Sequence, residues 1–271
     1  MSQPDLAALH YISSNPSAQT TILLIHGAFC SSEYWDLVIP HLSTSYHLLV
    51  PDLPGHAKSR SITPFTVDTS ADLLAQLIRK EAKNGSAHVI GHSLGAHVAI
   101  TLASAYPDLV QDVFVSGFAI FPPSAMAEYA PYLIWPVIRV ENMIPRSVIS
   151  WLMDGTDVVR LDTSVCTLDL CRQVMVALRS SGEWPAPWRA RTLVVAAIKG
   201  GIIPSSDNAE YAGRLAEIGR EVNPETIAVI HPDMRHPWNR QAPGLFAETA
   251  RAWFERRDLP EGFLPCESTV E

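Results

Sequence analysis

The segment that decides the fold is His88-Val-Ile-Gly-His-Ser-Leu-Gly-Ala-His97. Its centre, residues 91–95, fits the pattern G-x-S-x-G, with an apolar run before it and the small residues Ala96, Ala99 and Ala103 after it. A serine between a buried strand and a closely packed helix is typical of a nucleophile held on a sharp turn, where side chains at Gly91 and Gly95 would collide with the neighbouring backbone. Ser93 is therefore the candidate nucleophile. The alternative is a serine that only caps the following helix.

Outside this segment, short apolar runs alternate with longer helical patterns, which predicts an α/β fold with a mostly parallel central sheet flanked by helices. Several predicted strands are apolar throughout, as expected of strands covered on both faces. The predicted helices are 67–83, 208–219 with Asp207 as its N-cap, and 243–255. The predicted strands are 8–12, 21–26, 47–50, 87–90, 110–116, 192–197 and 225–230.

The alternation stops between residues 119 and 189, where prolines and bulky apolar residues accumulate without a strand pattern. We therefore divide the chain into a first core part (1–118), a helical cap insertion (119–189) and a second core part (190–271). The cap is expected to form an apolar lid and pocket over Ser93, with Tyr129, Trp135 and Met153 as candidate pocket residues. For most lid residues the alternative is packing on each other and on the core. The other lid candidates are Tyr132, Leu133, Ile134, Ile138, Met143, Trp151 and Leu152.

Four blocks of the sequence resemble the α/β-hydrolase fold superfamily, specifically its serine hydrolases with a helical cap. They are the serine turn; Leu-Ile-His-Gly-Ala-Phe at 24–29, which resembles the oxyanion-hole loop and has Trp35 behind it; Pro-Asp-Leu-Pro-Gly-His at 51–56; and the segment around His236. The resemblance implies a structural role for His26 and identifies His236, just after the last apolar strand, as the general base. A neutral imidazole can accept the serine proton and return it to the leaving group. His231 is the alternative base.

Acyl transfer builds an oxyanion, which needs two N–H donors held in place in advance. The N–H of Leu94 follows the nucleophile and is the first candidate. The second is expected from the loop at 26–29, with Ala28 as the first choice and Phe29 as the alternative.

The sequence departs from the family at the acid of the triad. The resemblance implies a carboxylate where Gly200 stands, and the alternative position, in 117–121, has no carboxylate either. Asp207 is the first substitute, with helix capping as its alternative role. Asp233 is the second, with turn stabilisation as its alternative role. If neither serves, the protein works with a Ser93–His236 dyad.

The composition and charge of the chain argue against several classes of binding partner. The 271 residues contain 20 Lys+Arg and 28 Asp+Glu, a net charge of −8 without a basic run, so we expect no nucleic-acid partner. No apolar stretch is long enough to cross a bilayer, and residues 1–10 lack a secretory pattern, which predicts a cytoplasmic protein without a membrane partner. The four cysteines lack CxxC spacing and the histidines around Ser93 do not share a face, so we expect no metal and no cofactor.

The sequence therefore predicts a serine hydrolase, an esterase or thioesterase, that cleaves a small hydrophobic ester, thioester or related acyl substrate. Two other classes remain open. One is a lyase, cyclase or acyltransferase of specialised, polyketide-like secondary metabolism that uses the same dyad. The other is a non-catalytic ligand-binding protein on a degenerate hydrolase fold, for which Gly200 is the only support. The sequence predicts neither the natural substrate nor the oligomeric state.

Overall fold

The computed structural model describes residues 9–121, 129–141, 143–157, 166–180, 184–200 and 205–266. Within them an eight-stranded sheet has the order β1-β3-β2-β4-β5-β6-β7-β8. The inner strands pair in parallel, whereas β1 and β8 pair antiparallel at the two edges. The predicted mostly parallel sheet is confirmed. The strands are β1 (Tyr11–Ser14), β2 (Thr21–Ile25), β3 (His47–Pro51), β4 (Ala87–His92), β5 (Val110–Ser116), β6 (Arg191–Ala197), β7 (Ile227–His231) and β8 (Leu264–Pro265).

Helices flank this sheet along the described parts of the chain. Short 3₁₀ helices lie at Ser32–Trp35, Ala57–Ser59 and Lys83–Gly85. In the described residues, no helix combines the length and the apolar character that a bilayer crossing requires. The α-helices are α1 (Ile39–Leu42), α2 (Val67–Glu81), α3 (Leu94–Ala105), α4 (Ala130–Glu141), α5 (Arg146–Leu152), α6 (Leu168–Ser180), α7 (Ala209–Arg220), α8 (Trp238–Gln241) and α9 (Pro243–Phe254).

Burial on both faces explains why the inner strands are apolar throughout. In β2 every residue is buried: Leu23 and Ile25 pack into the core that contains α2 and α3, whereas Ile22 and Leu24 pack into the core that contains α9. Alternate side chains of a strand point to opposite faces, so a sheet covered on both sides needs apolar residues at every position. The carboxyl ends of the parallel strands lie along one edge of this sandwich, where the candidate site is found.

The structure differs from the sequence-based prediction mainly at element ends. The first strand runs over Tyr11–Ser14 instead of 8–12, because its position is set by antiparallel pairing with β3 and not by its own pattern. The two-residue strand β8 was not predicted. The N-cap of α7 is Asn208, whose side-chain oxygen accepts the Tyr211 N–H at 3.1 Å. The prediction of Asp207 as the cap is therefore wrong by one residue.

The segment between β5 and β6 forms the helices α4, α5 and α6 in its described parts. Ile138, Cys166 and Cys171 make a small buried cluster there, and Phe29 from the loop after β2 packs against it. The insertion thus contacts the loop that was predicted to carry the oxyanion hole. The domain limits of 119 and 189 stay a prediction.

Ion pairs also join the insertion to the core. Asp154 pairs with Arg235 at 2.5 Å and with Lys199 at 2.9 Å, and Asp157 pairs with Arg240 at 3.1 Å. Lys199 and Arg235 hold the pKa of Asp154 below its usual value through hydrogen bonds. The two arginines are buried and flank His236 in the chain. The insertion is therefore tied to the segment that carries the candidate base.

Candidate active site

Ser93 stands on a strained turn between β4 and α3. Its backbone angles are φ 55° and ψ −117°, and its side chain makes no capping hydrogen bond to α3. A Cβ at Gly91 would lie 2.3 Å from the Gly95 carbonyl oxygen, and one at Gly95 would lie 2.3 Å from that of Ile25. The predicted need for glycine at both positions is confirmed. The serine therefore does not cap the helix, and its positive φ is a strained conformation of the kind that clusters at functional sites.

The loop after β2 runs alongside this turn. A Cβ at Gly27 would lie 3.3 Å from the Cβ of Ser93. The loop turns sharply here, since the Cys30 N–H donates to the Gly27 carbonyl at 3.3 Å and Phe29 has a φ of 62°. The N–H of Leu94 opens α3 on the other side of the serine. Both predicted sources of an oxyanion hole thus flank Ser93, and the choice of Leu94 with Ala28 or Phe29 stays a prediction.

His26 holds the loop in shape. Its Nδ1–H donates to the Gly27 carbonyl at 2.7 Å, and its Nε2 accepts the Leu53 N–H at 3.0 Å. Burial lowers the pKa of His26 to about 4. The ring is therefore neutral at physiological pH, with its proton fixed on Nδ1, and it links the loop after β2 to the loop after β3.

His236 lies beside the end of β5, and so does Ser93. The Ser93 N–H donates to the Ser116 carbonyl at 2.9 Å. A Cβ on the next residue, Gly117, would lie 2.6 Å from Cε1 of His236. The ring of His92, adjacent to Ser93 in the chain, lies with its centroid 4.6 Å from that of His236. The structure thus brings the predicted nucleophile and the predicted base to the same end of the sheet.

Asp207 lies against His236. Its Oδ1 accepts a hydrogen bond from Nδ1–H of His236, and its Oδ2 accepts the Ala197 N–H at 2.9 Å. Its side chain is 1% exposed. Backbone hydrogen bonds between the loops after β6 and β7, such as Lys199 N–H to the Met234 carbonyl at 2.9 Å, hold the two segments side by side. Asp207 therefore has the contact expected of the residue that orients the base.

The alternative residues have other surroundings. The ring of His231 packs edge-on against Phe263, and its Nδ1 accepts the Asp233 N–H at 3.3 Å. Asp233 is exposed, and its carbonyl accepts a hydrogen bond from Gln241. Gly200 is exposed, and nothing lies within 4 Å of the Cβ that it lacks. The contacts of His231 are those of a residue at a strand end, and the contacts of Asp233 are those of a residue in a turn.

The candidate pocket residues lie at different depths. Tyr129 is 59% exposed, and Met153 is half-buried. Trp135 packs against the cluster of Ile138, Cys166 and Cys171, and its indole N–H donates to the Cys166 carbonyl at 3.0 Å. Their role as a substrate pocket stays a prediction. Several other lid candidates are strongly exposed, namely Tyr132, Leu133, Met143 and Trp151.

Gly117 lies at the candidate site, but the sequence indicated it only as a position without a carboxylate. Its φ is +71°, and it leaves the space that the imidazole of His236 fills. A glycine directly after a buried strand was the available signal. Tyr34 and His92 were also not assigned a role at the site. Their side chains contact each other, and only His92 contacts the backbone carbonyl of His236. In the described residues, no group of three His, Cys, Asp or Glu side chains is arranged to hold a metal ion.

Replacing Gly117 by alanine is expected to lower kcat about 10²-fold, because the new methyl group displaces the His236 ring and small displacements of reacting groups cost that much. Gly85→Ala is the matched control: Gly85 has the same φ of +71° but nothing within 4 Å of its missing Cβ. Steady-state kinetics on p-nitrophenyl butyrate compares the two. Equal activity in both variants would mean that the close approach at Gly117 does not matter.

Comparisons with known proteins identify relatives of this chain. Residues 22–249 match the model of the alpha/beta hydrolase family. An AB hydrolase superfamily protein of Gibberella zeae is 39% identical over 256 residues, covering 94% of this chain and 86% of the relative. Lipase LipV of Mycobacterium tuberculosis is 36% identical over 102 residues, 38% of each chain, and a pimeloyl-acyl-carrier-protein methyl ester esterase of Neisseria meningitidis is 33% identical over 104 residues, also 38% of each.

Solved structures agree on the fold. A marine microorganism esterase aligns with a TM-score of 0.65 at 18% identity, covering 92% of this chain and 98% of that one. An esterase from Thermogutta terrifontis aligns with the same TM-score at 22% identity, covering 92% and 93%. At these identities the likeness concerns the fold alone.

Proposed function

This chain belongs to the alpha/beta hydrolase family, and from that premise we propose that it is a serine hydrolase acting on a hydrophobic carboxylic ester or thioester. The family and its relatives named as a lipase and an esterase support a hydrolase. In our proposal Ser93 is the nucleophile, His236 the general base and Asp207 the acid that orients the base. The observation that carries the proposal is the hydrogen bond from His236 Nδ1–H to the buried carboxylate of Asp207, beside the strained turn of Ser93.

The proposed chemistry follows from these contacts. With its Nδ1 proton held by Asp207, the imidazole of His236 has Nε2 free to accept a proton. Ser93 Oγ attacks the carbonyl carbon while its proton moves to His236, and the carbonyl oxygen becomes an oxyanion. The N–H groups of Leu94 and Ala28 stabilise this charge in our proposal. His236 then protonates the leaving alcohol or thiol, and water releases the acyl group from Ser93 by the same steps.

The apolar character of the insertion supports a hydrophobic substrate. Its described part offers many apolar side chains, and Phe29 of the oxyanion loop packs directly against its inner cluster. We propose that the insertion covers the site as a cap and supplies the apolar surface for the acyl group. The names of the relatives, a lipase and a methyl ester esterase, are in keeping with an ester substrate.

The alternative of a non-catalytic binding protein has less support than catalysis. Its only support was the glycine at position 200, where the family resemblance implies a carboxylate. The contact between Asp207 and His236 supplies that carboxylate from a different position. We therefore favour catalysis over ligand binding alone.

A fluorophosphonate probe tests the proposal directly. The folded protein is expected to react at Ser93, with Oγ displacing fluoride from phosphorus while His236 accepts the proton. Peptide mass spectrometry locates the adduct, Ser93→Ala removes it, and His236→Ala slows its formation. Ser104, on the same helix α3, is the internal control and stays unmodified. A folded protein that is not labelled at Ser93 would contradict the proposal and support a binding role.

A further inference from the structure

His92, the residue directly before Ser93, makes a hydrogen bond through each of its two ring nitrogens. Its Nε2 lies 2.8 Å from the backbone carbonyl oxygen of His236, a group that can only accept, so Nε2 carries the proton. Its Nδ1 lies 3.2 Å from the hydroxyl of Tyr34, which therefore donates to it. Both rings are buried. The hydrogen bonds thus leave one tautomer for His92 and one direction for the Tyr34 hydroxyl.

These two side chains keep their proton arrangement under working conditions. Burial, with His236 nearby, lowers the pKa of His92 to about 3, so its ring remains neutral. Burial holds the pKa of Tyr34 well above its usual value, so its hydroxyl remains a donor. Both groups are therefore uncharged near neutral pH.

The segment that follows His236 also contacts Tyr34. The backbone carbonyl of Tyr34 accepts hydrogen bonds from Arg240 Nη1 at 3.1 Å and from Asn239 Nδ2 at 3.4 Å. Both residues belong to α8, which begins two residues after His236. Tyr34 lies in the 3₁₀ helix that follows the loop after β2. His92 therefore connects the serine turn with both the loop of the base and the helix behind the predicted oxyanion loop.

We propose, resting on the function proposed above, that His92 and Tyr34 are positioning residues that hold the backbone of His236 so that its ring faces Ser93. Asp207 fixes the far side of the imidazole, and His92 fixes the peptide group from which that imidazole projects. Without the His92 donor the base loop can shift, and a shift of about 1 Å costs about 10²-fold in rate. The ring proton of His236 is thus held by Asp207, and its peptide carbonyl is held by His92.

Three variants test this on p-nitrophenyl butyrate. His92→Leu is expected to lower kcat about 10²-fold with KM changed less than about threefold, because the lost interaction positions the base rather than the substrate. His92→Gln keeps an N–H donor for the His236 carbonyl and is expected to regain at least about ten-fold of that loss. Tyr34→Phe is expected to fall between the wild type and His92→Leu.

His47→Leu is the matched control. His47 is also a buried histidine with two hydrogen bonds, to Ser13 and Thr21, but it begins β3 at the opposite end of the sheet. Both leucine variants are expected to lose thermal stability, whereas only His92→Leu is expected to lose kcat. If His92→Leu keeps its kcat, or if His92→Gln is as slow as His92→Leu, the proposal is overturned.

A second readout does not depend on ester hydrolysis. The Nδ1 proton that His236 shares with Asp207 is expected to give a downfield ¹H NMR signal in the wild type. That signal should persist in His92→Gln and His47→Leu and broaden or vanish in His92→Leu. If the wild type shows no hydrolysis, the proposed function fails while this signal still tests the positioning. An unchanged signal in His92→Leu would overturn the positioning.

Discussion

Asp207→Asn is expected to lower kcat about 10⁴-fold while the fold is retained, which is the scale seen when the orienting carboxylate of a triad is lost. The asparagine can still accept the Ala197 N–H with its oxygen, and it then presents its amide N–H groups to His236. Nδ1 of His236 would have to accept, so the ring proton would move to Nε2. In that tautomer the imidazole cannot take the proton of Ser93.

Two variants serve as controls for this result. Asp233→Asn changes the other candidate acid, which is exposed and lies in the turn before His236, and we expect no loss of kcat. Gly200→Asp restores a carboxylate at the position that the family resemblance implies. Because nothing lies within 4 Å of that Cβ and His236 already has a partner, we expect no gain. A gain in Gly200→Asp, together with an unaffected Asp207→Asn, would instead favour the dyad.

The second large effect concerns stability in mild acid. Burial lowers the pKa of His26 and His97 to about 4 and that of His56 and His92 to about 3. In the unfolded chain these rings titrate near their usual pKa of about 6.5. Below that pH the unfolded state binds protons that the folded state does not, so the free energy of unfolding falls as the pH falls. The contribution is complete above about pH 7 and is lost between about pH 6.5 and pH 4.

Each such histidine removes about 1.4 kcal/mol between pH 7.5 and pH 5.5, and the four together remove about 5 kcal/mol. Typical domains have a free energy of unfolding of only about 5–15 kcal/mol. Urea unfolding at the two pH values measures the difference. His97→Gln should reduce it by about a quarter, since one of the four rings is then gone. A free energy of unfolding that is constant over this range would contradict the prediction.

The sequence predicted the parts of the site that local packing determines. Gly91, Ser93 and Gly95 are fixed by a close approach within one turn, and the apolar pattern of β4 and α3 places that turn between strand and helix. His236 was assigned through the resemblance of its segment to the hydrolase family, and it lies in the loop after β7. The inner strands could also be predicted from local sequence. Burial on both faces makes each strand apolar throughout, and this pattern is visible without knowledge of the neighbouring strands.

Contacts between distant segments could not be predicted in the same way. Asp207 and Asn208 are equally suitable as helix N-caps by residue type. In the structure Asn208 caps α7, whereas Asp207 contacts His236, a partner from a distant segment. The importance of Gly117 arises from a ring that belongs to a loop far along the chain. The same holds for Tyr34, whose hydroxyl meets His92 across the sheet end.

The ion pairs of Asp154 and Asp157 limit how this enzyme family member could be re-engineered. Arg235 and Arg240 are buried, and both lie near His236 in the chain. Each forms an ion pair with an aspartate of the segment between β5 and β6. A chimera that receives a foreign segment between β5 and β6 would have to bring two acids to the same places, because each lost acid leaves a buried arginine with less compensation of its charge. Grafting for new specificity would therefore disturb the base before it alters the pocket.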